Sequence, residues 1–233
     1  MIDRNFVEKI EEMAAIEQFE LSDVHYFTKE LFPVMPFMQS ELKVNSLGGF
    51  VDYIKACNEI KAFIHVNYNR VCLLSDPHLQ TKKRTTFCVA ENPMKPFSFG
   101  NDYNVEEFII ALHGFFVSNT ERDQLLKCVA NIRDSKSKEL NDDGVTQKVT
   151  VNQGVTMVGV SEIKNPVRLN PYRTFIEVKQ PEGQFVFRIK KNERYDSVSC
   201  RLIEADGGRW KLDAIANIKE YLEKAELGLP IIA

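Results

Sequence analysis

From Gln147 to Glu204 the chain reads as one strand-like run after another, and this most restricts what it can fold into. TQKVTV and VTMVGV flank Asn152-Gln153-Gly154, RTFIEVK and QFVFRIKK flank Gln180-Pro181-Glu182-Gly183, and SVSCRLIE follows. The runs are rich in β-branched and aromatic residues and the gaps are turn-forming, so the spacing predicts successive antiparallel hairpins. Trp210, Leu212, Ile215, Ile218, Tyr221 and Leu222 then recur at helical spacing and predict a closing helix.

The chain before residue 135 has a different character. Phe6, Val7, Ile10, Met13, Ala14 and Ile16 form one face of an opening helix, with Asp3 placed as its N-cap. Phe19 to Val44, interrupted by Pro33 and Pro36, predicts short extended segments with irregular links. Ser46 caps a helix ending near Asn58, and AFIHVNY, RVCLLS and RTTFCVA predict three strands. Asn104 with Glu107 opens another helix, and Thr120 caps the next across Ser118-Asn119, which makes an αα-hairpin. The expected fold class is therefore α+β. A mixed α/β N-terminal part with the αα-hairpin spans residues 1–135, and a β-meander part closed by a C-terminal helix spans 136–233. The polar stretch SKSKELNDDGVTQ marks the boundary, and the two parts are able to pack as one domain.

Composition limits the function classes. A chain of 233 residues with 44% hydrophobic and 27% charged residues lies outside the disordered range. No apolar run approaches the roughly 20 residues of a membrane span, and the opening MIDRNFVEKIEE lacks a basic n-region and an apolar h-region; a cytosolic protein with no membrane partner is expected. The five cysteines show no C-x-x-C pair and read as reduced, buried thiols. A net charge of −3 argues against a surface basic all over, although Lys164 to Lys211 holds eleven Lys and Arg against six Asp and Glu.

Several local patterns invite a chemical reading, each with a plainer one beside it. Asp76-Pro77-His78 matches the Asp-x-His of two-metal phosphoesterases, but no downstream ligand set follows it, and a turn accounts for it. Glu177-Val178-Lys179 matches the Glu-x-Lys of Mg²⁺ nucleases, with only Asp142 or Asp143 as a partner carboxylate. Strand alternation explains it too: Arg173, Glu177 and Lys179 on a solvated face, Ile176 and Val178 toward the core. Glu204-Ala205-Asp206-Gly207-Gly208 places acids and glycines at a strand-to-helix corner, where they serve either a cation or the turn itself. Lys82, Lys83, Arg84, Arg188, Lys190, Lys191 and Arg194, with aromatics close by, are the candidate nucleic-acid-binding residues. Parity nonetheless turns Phe185 and Phe187 toward the core with Ile189. No phosphate loop, dinucleotide fingerprint or nucleophile elbow occurs, so no catalytic residue, metal ligand or cofactor is assigned.

Asn170-Pro171-Tyr172-Arg173-Thr174-Phe175, continuing through Glu177-Val178, Gln180-Pro181 and Phe185-x-Phe187-Arg188, resembles an uncharacterised family of phage- and prophage-encoded proteins. Ser46-Leu47-x-Gly49-Phe50-Val51-Asp52-Tyr53, Asp142-Asp143-Gly144-Val145 and Glu204-Ala205-Asp206-Gly207-Gly208-x-Trp210 fit the same pattern, most strongly over residues 140–225. The resemblance implies a phage origin and action in the host bacterial cytoplasm, and it carries over no catalytic residue.

The expectation is a non-enzymatic accessory protein that binds a host protein or a signalling small molecule, with a counter-defence role within its scope. A nucleic-acid-binding factor in phage replication or recombination is the alternative, and a divergent Mg²⁺ nuclease the second. The apolar tail Leu229-Pro230-Ile231-Ile232-Ala233 is expected either to dock within the fold or to form a homo-oligomer surface.

Overall fold

The computed structural model describes residues 4–14, 18–21, 24–27, 41–57, 61–77, 83–134, 137–142, 146–153, 156–192 and 197–233. The chain divides into two compact units, Met1–Gln39 and Ser40–Ala233. In the first, helix α1 (Arg4–Ala14) precedes an antiparallel pair, β1 (Gln18–Leu21) and β2 (Val24–Phe27). The second has the expected α+β architecture.

Its five-stranded sheet is built from β3 (Leu42–Val44), β4 (Ala62–Val66), β5 (Arg70–Ser75) and β6 (Thr86–Glu91). The fifth strand is β14 (Ile231–Ile232), in the order β14-β4-β5-β6-β3. β4, β5 and β6 run antiparallel, while the edge strands β14 and β3 are parallel to their neighbours. The apolar tail thus docks within the fold, with Ile231 beside Ile64. Helix α2 (Leu47–Ala56) packs Leu47, Phe50 and Ile54 against this sheet, together with Ile218 and Leu222 of helix α5 (Trp210–Lys224).

The four-stranded sheet has the order β11-β12-β13-β7, from β11 (Val167–Leu169), β12 (Gly183–Asn192), β13 (Ser197–Glu204) and β7 (Tyr103–Asn104). Phe185, Phe187, Ile189, Cys200 and Leu202 alternate onto its inner face, as strand parity requires. The αα-hairpin of α3 (Val105–Phe115) and α4 (Thr120–Asp134) covers them with Phe108, Leu112, Leu125 and Val129. A further sheet joins β8 (Ser137–Asp142), β9 (Thr146–Gln153) and β10 (Thr156–Lys164), the last two forming the hairpin expected there. Strands from either side of residue 135 pair in both larger sheets, Cys200 with Tyr103 and Ile231 with Ile64.

The predicted caps at Ser46 and Asn104 are present, accepting from the backbone N–H groups of Gly49 (3.0 Å) and Glu107 (2.8 Å). The cap of α4 is Asn119, whose Oδ1 accepts from Arg122 N (2.7 Å), rather than Thr120. A larger departure concerns RTFIEVK. Residues 170–182 form no strand but a loop that runs through the interior. Ile176, placed in the core by alternation, is 67% exposed, while Arg173, placed on a solvated face, is 6% exposed. β12 therefore pairs with β11 and β13, and no hairpin turns at Gln180-Gly183. Asp3, His78, Asp143 and the Gly154 turn lie outside the described residues.

Candidate ligand-binding site around Arg173

Loops that cross an interior must find partners for their backbone polar groups. In the 170–182 loop the buried Gln180 amide supplies most of them. Its Oε1 accepts from the backbone N–H groups of Arg173 (3.2 Å) and Thr174 (3.4 Å), and its Nε2 donates to the carbonyls of Phe175 (2.8 Å) and Val178 (3.2 Å). The loop is also tied to its surroundings. Thr174 Oγ1 donates to the Tyr68 carbonyl, Asn217 of α5 donates to the Lys179 carbonyl, and Phe175 and Val178 are buried in the core beneath the five-stranded sheet. Backbone direction at Arg173 is therefore fixed from both sides.

The Arg173 side chain enters the region between the two cores. Its guanidinium carbon lies 4.1 Å from the Trp210 ring centroid, 5.3 Å from that of Phe185 and 5.6 Å from that of Phe99. Nη1 donates to the Glu204 carboxylate, and Nη2 stands 4.0 Å from Asp206 Oδ2. Nε, Nη2 and Asp206 Oδ2 are buried and have no hydrogen-bond partner among the described residues. Burial pulls the guanidinium pKa down to about 10, against the opposing influence of Glu204 and Asp206.

Local sequence explains this placement. Gly183 leaves room for the guanidinium: a Cβ there would collide with Arg173 Nη2 and fall 2.9 Å from the Phe185 ring and 3.0 Å from Asp206 Oδ2. Gly207 and Gly208 adopt φ of 63° and 82°, the left-handed backbone that glycine takes without steric penalty, and so turn the chain from β13 into α5. That corner sets Glu204, Asp206 and Trp210 around one cation. The acids weighed from the sequence as a metal-cation site or a turn face a side-chain cation instead, Arg173, and Asp206 also accepts from Gly208 N (2.9 Å) within the turn.

A cleft of about 350 Å³ opens over this group, with apolar walls from Tyr68, Phe97, Phe99 and Trp210. Tyr68 and Trp210 meet edge to face, with centroids 5.2 Å apart at 80°. Arg173 and Glu204 line the same cleft, joined by Lys211, whose Nζ lies 5.2 Å from the Tyr68 ring centroid. A second cavity of about 570 Å³ meets Asp206 and carries mixed charges, among them Arg168, Arg209 and Asp213.

The residues singled out for nucleic acid lie on two different sheets. Lys83 and Arg84 precede β6 of the five-stranded sheet, and Arg84 rests 4.7 Å over the Phe63 ring. Arg188, Lys190 and Lys191 lie on β12 of the four-stranded sheet, while Lys82 and Arg194 fall outside the described residues. Asp102 accepts from Nε and Nη2 of Arg201, each at 2.7 Å, and lies 3.7 Å from Lys190 Nζ of β12. Phe185 and Phe187 face the core, as their parity required. Glu177, the nuclease candidate, accepts from the backbone N–H groups of Leu47 (2.8 Å) and Gly48 (3.3 Å) at the start of α2. Among the described residues no group of three or more His, Cys, Asp or Glu is placed to hold a metal ion, and no helix is long and apolar enough to cross a membrane.

Sequence reasoning missed Arg173 because it placed the residue on a strand. The available signals were the chain's only tryptophan just beyond an acidic, glycine-containing corner, and a glutamine before proline in a segment otherwise read as turn. No protein-family model, no curated protein and no solved structure matches this chain.

Proposed function

We propose that this is a phage-encoded accessory protein of the host bacterial cytoplasm that works by binding, holding a small host molecule in the cleft over Arg173 and so serving a counter-defence role. One observation carries the reading: a charged side chain, 6% exposed, borders an aromatic cleft with two of its nitrogens unpaired. Buried polar groups are ordinarily hydrogen-bonded, and an unpaired donor on a charged group is costly. A ligand that rearranges the acceptors around the guanidinium relieves that cost.

Binding fits the surroundings better than catalysis does. Glu204 and Asp206 are turned toward Arg173, and Glu177 is engaged at the start of α2, so the carboxylates weighed as chemical groups already have structural partners. The nucleic-acid alternative has less support, because Asp102 offsets the positive charge of Lys190 and Arg201.

Native mass spectrometry of the protein after incubation with deproteinised bacterial extract tests the proposal. A discrete small added mass, weakened by Lys211→Ala, is the expected result. Bare protein after extracts from both infected and uninfected cells overturns it.

A further inference from the structure

We infer that the ligand of this cleft is a singly charged anion bearing a flat ring, and that its anionic group takes Arg173 over from Glu204. The inference rests on the cleft being a ligand site.

The anion follows from Arg173 itself. In an arginine, Nε–H and Nη2–H lie side by side on one edge of the guanidinium, and here that edge is buried toward Asp206, which leaves Nη1, beside Glu204, as the donor that faces the cleft. Among the described residues neither Nε nor Nη2 has a hydrogen-bond partner, and the one grip on the guanidinium within hydrogen-bond distance is that of Glu204 on Nη1. Glu204 is a replaceable holder: its side chain is 41% exposed, against 3% for Arg173 and 10% for Asp206. It can swing into water, where a carboxylate is well solvated, whereas Arg173 stays where the rings and Gln180 fix it. An incoming anion then keeps the buried cation balanced. Asp206, 4.0 Å from Nη2, needs only a small approach to meet the unused fork.

The size of the charge follows from the lining. One carboxylate, that of Glu204, leaves the guanidinium, so a single negative charge on the ligand restores the balance of Arg173 and Lys211 against Asp206 and the ligand. The flat ring follows from the walls: Tyr68 and Trp210, already edge to face, with Phe97 and Phe99, favour an aromatic face over an aliphatic chain. Asn69 and Asn92 add amides for polar atoms at a ring edge. Two sources share this chemistry, a cyclic nucleoside phosphodiester and an aromatic carboxylate.

Trp210 is the chain's only tryptophan and lines the cleft, so its fluorescence reports occupancy. The probes are adenosine 3′,5′-cyclic phosphate, benzoate, adenosine without a charge, and inorganic phosphate without a ring, titrated in parallel by calorimetry. One of the two ring-bearing anions is expected to bind at least about tenfold more tightly than adenosine or phosphate, the scale of a charge-assisted hydrogen-bonded pair. Which of the two binds identifies the source. Glu204→Gln removes the competing charge and is expected to tighten binding, and Lys211→Ala to weaken it. Equal binding of adenosine or phosphate overturns the inference, as does weaker binding by Glu204→Gln. If neither anion binds while extract still gives a small-molecule adduct, the inference fails and the cleft remains a ligand site. If extract gives none either, both fail.

Discussion

The carboxylate of Glu177 caps the backbone of Leu47, 130 residues earlier in the chain, at 2.8 Å. The first N–H groups of a helix have no partner within the helix. In α2 they are satisfied in turn: Leu47 and Gly48 by Glu177, Gly49 by the Ser46 hydroxyl, and Phe50 by the Ser46 carbonyl. Glu177 also brings negative charge to the positive end of the helix. Glu177→Ala is expected to lower stability by about 1 kcal/mol, the typical loss of a cap. Thermal unfolding of the variant checks the stability, and an assay of Mg²⁺-dependent cleavage by the parent and the variant separates the cap from a catalytic role.

Gln180 serves four backbone groups with one buried amide. Gln180→Ala leaves two donors and two acceptors without that partner in a place closed to water. With unpaired buried groups costing about 1–3 kcal/mol each and some relaxation of the loop, a loss of about 3 kcal/mol or more is expected. For a chain of this length that lowers Tm by about 6–12 °C. Gln180→Glu keeps the acceptor for Arg173 N and Thr174 N but loses the donors to Phe175 and Val178, so it is expected to be destabilising as well. Differential scanning calorimetry measures both variants, and stability within experimental error of the parent removes Gln180 from its role as the fastener of the loop.

Much of this fold is legible in the sequence because it depends on local periodicity. Phe185, Phe187 and Ile189 alternate into the core, Trp210 to Leu222 keep a helical face, and Ser46 and Asn104 cap the helices they precede. The site is less legible because it depends on contacts that local pattern does not encode. RTFIEVK has the composition of a strand, yet Gln180 satisfies its backbone across the loop, and Tyr68 and Leu47 hold it from more than 100 residues away. Once the segment is taken out of a sheet, alternation no longer predicts which side chains are buried, and Ile176 and Arg173 exchange their expected places. The acidic corner was visible, but its cation was not, because Arg173 reaches Glu204 across 31 residues.

Asp102 carries the pH dependence of the outer sheet face. Its hydrogen bonds to Arg201 hold its carboxyl below the usual carboxylate range, with Lys190 adding to the effect. A carboxyl depressed on folding contributes stability above its unfolded value, about 3.9, and that contribution is lost as pH falls through the lower native value. The pair is partly exposed and screened by water and salt, so the increment is small. Asp102→Asn is expected to flatten stability over this acid range and leave it nearly unchanged at neutral pH. NMR titration of the Asp102 carboxyl carbon gives the direct reading, and a midpoint at or above the ordinary aspartate value contradicts it. The same variant frees Arg201 and Lys190 from their shared counter-charge, so any nucleic-acid affinity of this face at low salt should rise with it.

Gly183 sets a tight steric limit on the Arg173 guanidinium. Its missing side chain is what lets the Arg173 guanidinium lie between Phe185 and Asp206, since a Cβ would collide with Nη2. Gly183→Ala therefore pushes either the guanidinium or the β12 backbone, and the backbone is restrained by pairing with Leu169 of β11. The guanidinium is expected to move, losing its contact with the Trp210 face at a cost of about 1–3 kcal/mol, the usual range for overpacking. Trp210 fluorescence supplies a readout that simple destabilisation does not, because removing a cation 4.1 Å from the ring centroid changes the emission of the folded protein. A folded Gly183→Ala variant with the parent emission spectrum and parent stability shows that Arg173 has room to spare, and the close packing argued around it is then wrong.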